Sequence, residues 1–283
     1  MKLVRFGPPG REKPGIVDAK GRIRDLSEVV PDIAGDTLGS KSLGKLRKIK
    51  PDKLPLVRSG VRLGPCVGAV GNYIAIGLNY SDHAKESGMP IPSEPIVFLK
   101  AHSCVSGPND DIMLPRGSQK TDWEVELAIV IGERARNLSK KEALDVVAGY
   151  CIANDVSERE FQLGRPGGQW AKGKGCETFG PLGPWLVTKD EIPEPQRLDM
   201  WLDVNEERMQ EGSTKTMIFG VAHIVWHCSQ YMLMEPGDVI ATGTPPGVGS
   251  GMKPPRFLKA GDVVRLGITG LGEQTQKVVR FKM

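Results

Sequence analysis

The alternation of apolar and polar residues is clearest between positions 121 and 132. From Trp123 onward every second residue is apolar, which predicts a β-strand with one buried face. Glu124 and Glu126 begin the opposite face, which turns apolar further along. Because side chains at i and i+2 of a strand point to the same side, the two carboxylates should lie next to each other.

This glutamate pair has two interpretations. Burying two like charges at short range costs several kcal/mol unless something compensates for them. A hard divalent cation such as magnesium, calcium or manganese compensates well, since these ions prefer oxygen ligands. The alternative is an edge strand whose polar face is solvated. The pattern alone leaves both readings open.

The rest of the pattern predicts an α+β, strand-dominated fold, because β-branched runs are repeatedly bounded by Gly and Pro. Residues 1–65 are expected to form a small β-rich N-terminal domain, and residues 66–283 a larger catalytic one. Strands are predicted near residues 3–6, 15–19, 22–26, 73–78, 95–100, 150–154, 185–188, 198–205, 207–210, 262–268 and 276–281. Helices are predicted within 36–55, from 82 to about 88, at 139–148, from 157 and at 218–233.

The short helix that begins near Asp82 carries His83 and Glu86 on one face, because they are three residues apart. A carboxylate beside an imidazole fixes the tautomer and raises the basicity, as in a general base. Gly88 and Pro90 follow and favour a segment that opens and closes as a lid. A surface histidine with a chance neighbour would give the same spacing.

Two further positions could carry chemistry. Asp155 lies between the end of a buried strand and the start of a helix, where active-site acids and plain turn residues both occur. The glycine-rich loop at 243–249 lacks the Gly-Lys-Ser/Thr of a P-loop, although its backbone N–H groups could bind a carboxylate.

His223 and His227 are one turn apart on a predicted helix, a spacing that can bind zinc. The His-Glu-x-x-His arrangement of zinc proteases is absent, so a packed helix face is the simpler interpretation.

Composition excludes several classes of protein. A formal charge of +4 is too small to indicate nucleic-acid binding, and the basic stretch at 41–53 fits a solvated helix face. No apolar run reaches the roughly 18 residues that span a bilayer, so no membrane partner is expected. The five scattered cysteines suit a reducing compartment, and we expect a cytoplasmic location.

Taken together, five motifs resemble the fumarylacetoacetate hydrolase family over roughly residues 73–281. They are GLNYSDH at 77–83, WEVEL at 123–127, NDVSER at 154–159, KGCETFGP at 174–181 and TGTP at 242–245. Each motif is weak alone, but their order and spacing are specific. The chain is most similar to the bacterial branch that hydrolyses 2,4-diketo-3-deoxy sugar acids, such as the compound derived from L-rhamnonate.

The resemblance implies a mixed β-roll or sandwich-like barrel and a homodimer. It implies Mg²⁺ or Mn²⁺ held by Glu124, Glu126 and Asp155. It further implies that His83 and Glu86 form a catalytic dyad on a lid and that Lys174, rather than Lys172, lies near the reacting carbonyl. The implied substrate-binding residues are Tyr80, Arg159, Gln162 and Thr244.

The expected reaction is hydrolysis of the C3–C4 bond of a 2,4-diketo acid to pyruvate and a short carboxylic acid. Its small-molecule partner would be a 2-oxo acid. Alternatives are decarboxylation of oxaloacetate or a related β-keto acid, and a ureidoglycolate lyase-type activity. A binding protein that has lost activity and a zinc protein using the two helical histidines are the remaining hypotheses.

Overall fold

The computed structural model describes residues 1–86 and 88–282. Its strands are β1 (Lys2–Phe6), β2 (Lys13–Val17), β3 (Ile23–Asp25), β4 (Tyr73–Gly77), β5 (Ile96–Lys100), β6 (Val105–Ser106), β7 (Ile112–Met113), β8 (Thr121–Asp122), β9 (Val125–Ile131), β10 (Val147–Asn154), β11 (Ser157–Glu158), β12 (Gly180–Thr188), β13 (Asp199–Val204), β14 (Glu207–Ser213), β15 (Val239–Ala241), β16 (Val263–Ile268) and β17 (Gly272–Val279). Its α-helices are α1 (Ser40–Leu46), α2 (Ser81–Glu86), α3 (Arg159–Leu163), α4 (Ala171–Lys174) and α5 (Val221–Tyr231). The predicted strand-dominated α+β class is confirmed.

The main sheet has the strand order β3-β2-β1-β12-β10-β9-β15-β4-β5, with β6 paired to β12. Most pairs are antiparallel, whereas β15 with β4 and β12 with β6 are parallel. A second sheet has the order β14-β13-β16-β17-β7. Within the described residues no pairing joins the two ends of the main sheet, so the expected barrel is not closed.

The second sheet packs against β9, β10 and β12 of the main sheet, which gives a sandwich. Buried glutamines cross between the layers: Gln274 donates to the carbonyls of Ile152 and Gly183, and Gln210 Oε1 accepts from Val125 N at 2.9 Å. Such contacts satisfy backbone groups that would otherwise be buried without partners. They also hold the backbone between Glu124 and Glu126.

The N-terminal segment joins the main sheet rather than forming one of its own. Strand β1 pairs with β12, and Leu3, Ile16 and Leu26 are buried in the same core as the rest of the chain. The division into two domains near residue 65 stays a prediction. Among the described residues, no helix is both long and apolar enough to cross a membrane.

The helix predicted at 139–148 is wrong. Its capping contact does form, because Ser139 N donates to Glu142 Oε2 at 2.8 Å, but the chain continues as turns. The carbonyl of Val146 instead accepts from Gly132 N at 2.7 Å, and from Val147 the chain pairs with β9. Sheet pairing and burial thus override the local helix signal.

Candidate metal and substrate site

Strand β9 lies in the interior of the main sheet, between β10 and β15. Every residue of β9 is buried, and the side chains of Glu124 and Glu126 are also buried. The alternative of an edge strand with a solvated polar face is therefore wrong. The two glutamates need compensating charge inside the protein.

Asp155 joins the two glutamates because β10 pairs with β9. Asn154 is opposite Val125, and the next residue, Asp155, donates its N–H to Glu124 O at 2.9 Å. Each of the three carboxylates offers one oxygen, and these oxygens lie within 4.8 Å of one another. Over residues 1–86 and 88–282 this is the one group of three or more potential ligands so arranged. An all-oxygen, all-carboxylate donor set fits a hard divalent cation.

Cationic side chains surround the carboxylates. Lys174 Nζ lies 2.7 Å from both Glu124 Oε2 and Asp155 Oδ2, whereas Lys172 is exposed. Lys100 Nζ lies 2.5 Å from the other oxygen of Asp155. With Arg159 and Asp122 included, four carboxylates face three cations, one negative charge in excess when all are ionised. A dication would change this excess of one negative charge to a net charge of about +1, which suits an anionic substrate.

The surroundings shift the pKa values of the two glutamates in opposite directions. Burial raises the pKa of Glu124, but the charges of Lys174 and Arg159 outweigh burial and lower that pKa to about 2. Burial and repulsion from Asp155 and Glu124 raise the pKa of Glu126 well above its usual value. Burial lowers the pKa of Lys174, but Asp155 and Glu124 outweigh it and raise that pKa, so Lys174 is an ammonium donor.

The raised pKa of Glu126 predicts that cation binding releases a proton. Below that pKa the carboxyl is protonated, so a proton competes with the cation, and Mg²⁺ affinity should rise as pH increases toward it. Titration calorimetry in two buffers of different ionisation enthalpy measures the protons released. The Glu126→Gln variant should release fewer protons than the wild type. Equal affinity across the pH range, with no proton release, would contradict the prediction.

Arg159 begins helix α3, directly after the short pair β8–β11. Its Nε donates to Asp122 Oδ2 at 2.8 Å, and its Nη1 donates to Gln162 Oε1 at 3.0 Å. Asp122 also accepts from the backbone N–H groups of Gly249 and Ser250. Asp122 therefore fixes both Arg159 and the glycine-rich loop, and the predicted pair Arg159 and Gln162 is already oriented.

His83 and Glu86 lie on helix α2, as their spacing predicts, with His83 Nδ1 2.9 Å from Glu86 Oε2. Glu86 Oε1 accepts from Gly247 N at 3.0 Å, which ties the helix to the glycine-rich loop. Both side chains are partly accessible. With Nδ1 held by the carboxylate, Nε2 is left as the proton acceptor.

The hydroxyl groups of Thr244 and Tyr80 both have hydrogen-bond partners within the protein. The Thr244 hydroxyl donates to Val125 O and accepts from Gln210 Nε2, so it is already used within the protein. Tyr80 is fully buried, and its hydroxyl donates to Met200 Sδ at 3.2 Å. This structure therefore gives no support to a substrate contact by the Tyr80 hydroxyl.

Most of the predicted residues share one cavity of about 400 Å³. On its wall are His83, Glu124, Glu126, Arg159, Gln162, Lys174 and Thr244. Gly243 is also on the wall, and its N–H donates to Glu126 Oε2 at 2.7 Å. Its φ of +96° and the 2.8 Å approach that a Cβ would make to Asn79 explain why this position is glycine.

Comparison with known proteins decides the family. The profile described as fumarylacetoacetate (FAA) hydrolase C-terminal matches residues 72–279. The chain belongs to the fumarylacetoacetate hydrolase family. It is therefore an enzyme, as predicted.

Relatives of several kinds share its whole length. A protein of Burkholderia cenocepacia named as a hydrolase is 62% identical over 277 residues, covering 98% of both chains. The maleylpyruvate hydrolase of Sphingobium sp. SYK-6, solved with manganese(II) and pyruvate, is 29% identical with a TM-score of 0.82, covering 100% of both chains. A Mycobacterium abscessus structure described as a 2-hydroxyhepta-2,4-diene-1,7-dioate isomerase is 32% identical with the same TM-score and coverage. Hydrolases and isomerases thus share this family fold.

The zinc hypothesis has no support in the described part of the chain. His223 and His227 stack with ring centroids 6.3 Å apart, and each lies beside an aromatic neighbour on α5. Neither histidine belongs to a group of three potential metal ligands among the described residues. They belong to a packed helix face.

Two charged residues next to this site were missed in the sequence. Lys100 ends strand β5, and its side chain is fully buried against Asp155. Asp122 precedes the glutamate strand and clamps Arg159. The available signal was a lysine at the end of one predicted strand and an aspartate directly before the glutamate pair. Neither signal names the partner, which depends on the order of strands in the sheet.

Replacing Lys100 by methionine should lower the free energy of unfolding of the metal-free enzyme by about 3–5 kcal/mol, since it leaves the buried Asp155 short of a counter-charge. Mg²⁺ should recover part of that loss, because the dication supplies positive charge beside Asp155. Urea unfolding with and without Mg²⁺ measures both effects. The control is Lys120→Met, which breaks an exposed pair with Glu160 and should change stability little. A Lys100→Met enzyme as stable as the control would show that the buried pair is unimportant.

Proposed function

We propose that this enzyme hydrolyses the C3–C4 bond of 2,4-diketo acids, with a divalent cation, to give pyruvate and a carboxylic acid. The observation that carries the proposal is the three-carboxylate cluster at the adjoining ends of β9 and β10, two of whose members, Glu124 and Glu126, line the same cavity as the carboxylate-oriented His83. The manganese and pyruvate in the Sphingobium maleylpyruvate hydrolase structure support it.

Glu124, Glu126 and Asp155 would hold Mg²⁺ or Mn²⁺. The bound cation would supply a Lewis acid that stabilises the negative charge developing on the 2-oxo oxygen of the substrate as the bond breaks. The remaining steps belong to the side chains of the chain itself.

His83 accepts a proton from water at Nε2, while Glu86 holds Nδ1. The water oxygen bonds to C4, the C3–C4 bond breaks, and its electron pair passes into the enolate of pyruvate. The protonated His83 then returns the proton to C3. The acyl group leaves as the carboxylic acid, so atoms and charge balance.

Lys174 and Arg159 supply positive charge at the ionic end of the cavity. Lys174 donates to Glu124 and Asp155 and is close enough to the cluster to stabilise an oxyanion there. Arg159 is fixed by Asp122 and Glu124 in a geometry suited to a carboxylate. Both groups favour an anionic 2-oxo acid over a neutral carbonyl compound.

The test measures the release of pyruvate with a coupled lactate dehydrogenase assay. Acylpyruvates, a 2,4-diketo-3-deoxy sugar acid (the substrate class implied by the resemblance), oxaloacetate and ureidoglycolate would each be supplied with Mg²⁺ or Mn²⁺; for ureidoglycolate, glyoxylate is measured instead. Pyruvate from any 2,4-diketo acid, lost on chelation and restored by the cation, supports the proposal. Turnover of oxaloacetate alone would assign a decarboxylase, and turnover of ureidoglycolate alone a lyase.

The homodimer implied by the resemblance is also a proposal. Light scattering of the protein as it elutes from a size-exclusion column measures its mass directly. A mass of one chain at micromolar concentration would contradict it.

A further inference from the structure

We propose that the acyl group beyond C4 of the substrate is apolar, an aroyl or alkyl group, rather than a hydroxylated or carboxylate-terminated chain. This inference rests on the proposed function and names the substrate class of that site. It follows from how the wall of the cavity is divided.

The cavity has an ionic end and an apolar wall. The ionic end carries Glu124, Glu126, Arg159 and Lys174. The apolar wall is formed by Leu78, Met89, Phe98, Leu163, Trp170 and Val248. Met89 and Leu163 are 48% and 61% exposed, so the wall has apolar surface left to bury. A ligand anchored at the ionic end by its 2-oxo acid group would place its other end against this wall.

Two aromatic rings form the part of the apolar wall that lies next to Lys174. Lys174 Nζ lies 5.3 Å from the centroid of the Phe98 ring, and the Phe98 and Trp170 rings meet edge to face at 5.3 Å. Trp170 precedes helix α4, which carries Lys174, and its carbonyl accepts from Lys174 N. The aromatic pair is therefore held in a set position relative to the reacting end.

Gly77 allows Trp170 to take this position. A Cβ at Gly77 would lie 2.5 Å from Trp170 Cζ3, closer than any real contact. The indole thus packs directly on the backbone at the end of β4. Such a supported ring offers a flat apolar face with little freedom to lose on binding.

The wall offers few partners for polar substituents. Among the described lining residues the uncharged polar side chains are His83, Gln162, Thr244 and Ser250. His83 Nδ1, Gln162 Oε1 and the Thr244 hydroxyl proton are already bonded to Glu86, Arg159 and Val125 respectively. A chain with several hydroxyls is left with the Gln162 amide N–H groups and Ser250, since the reaction uses His83 Nε2. Burying unpaired hydroxyls is unfavourable. The lining cations, Arg159 and Lys174, both lie at the ionic end that would hold the 2-oxo acid group, so a second substrate carboxylate at the apolar wall has no counter-charge among the described lining residues.

The experiment measures kcat/KM for pyruvate release from acetylpyruvate, benzoylpyruvate, maleylpyruvate and a 2,4-diketo-3-deoxy sugar acid. Benzoylpyruvate should be the best substrate, by about 10-fold or more over the sugar acid. Trp170→Ala should lower kcat/KM for benzoylpyruvate by about 10-fold and for acetylpyruvate much less. The ratio of kcat/KM for benzoylpyruvate to kcat/KM for acetylpyruvate, measured on one preparation, is independent of the fraction of folded enzyme. Trp170→Phe should restore much of the ratio.

Trp226→Ala is the matched control. Trp226 is half-buried in aromatic contact on α5 and does not line the cavity, so its loss should leave the substrate ratio unchanged. A preference for the sugar acid or for maleylpyruvate would overturn this inference while upholding the hydrolase. Equal effects of Trp170→Ala on both acylpyruvates would overturn the role of the aromatic wall. No pyruvate from any of the four substrates would instead defeat the proposed function.

Discussion

Replacing Glu126 by glutamine is expected to lower pyruvate formation by about 10²- to 10³-fold, because it removes one of three charged ligands from the proposed cation site. The free energy of unfolding of the metal-free enzyme should be unchanged or higher. Burial and two neighbouring carboxylates raise the pKa of Glu126, so its ionised form is unfavourable in the folded protein, and a neutral amide removes that cost. The amide oxygen can still accept from Gly243 N.

Activity assays and urea unfolding of the same preparation separate these two effects. Glu211→Gln is the control, since Glu211 is exposed on β14 and should tolerate the change in both measurements. Loss of activity should be accompanied by weaker Mg²⁺ binding in the Glu126 variant alone. Wild-type turnover by Glu126→Gln would rule out its role as a ligand.

Replacing His83 by alanine should lower kcat by about 10²- to 10⁴-fold, the usual contribution of a general base. Mg²⁺ affinity should change little, because His83 contacts Glu86 rather than the three carboxylates. Single-turnover kinetics and metal titration of the same variant measure the two quantities independently. Glu86→Gln should give a smaller loss, since the imidazole remains but loses the carboxylate that orients it.

His102→Ala is a suitable control for the histidine variant, because His102 is exposed and does not line the cavity. It should hydrolyse the substrate at the wild-type rate. Equal losses of metal affinity and turnover in His83→Ala would mean that His83 acts on the cation site and not as the base.

Local sequence pattern was sufficient for the parts of the site that lie within one element. Period two placed Glu124 and Glu126 on the same side, and a spacing of three placed His83 beside Glu86. The class of fold also followed, since strand signals outnumber helix signals. Residues grouped by one strand or one helical turn need no knowledge of the tertiary fold.

Contacts between distant strands could not be derived in the same way. Lys100 reaches Asp155 only because β5, β4, β15, β9 and β10 are consecutive in the sheet, an order that no local pattern contains. The Thr244 hydroxyl accepts a hydrogen bond from Gln210, which comes from the second sheet. The capping box at Ser139 failed for a similar reason, because pairing of Val147 with β9 decided the structure there.

The central claim is that Glu124, Glu126 and Asp155 hold a divalent cation that activates a 2-oxo acid. Its most direct test is anomalous diffraction from crystals of the enzyme grown with Mn²⁺. We expect one strong peak within about 2.3 Å of a carboxylate oxygen from each of the three residues. A peak elsewhere, or no peak with Lys174 still bridging Glu124 and Asp155, would contradict it.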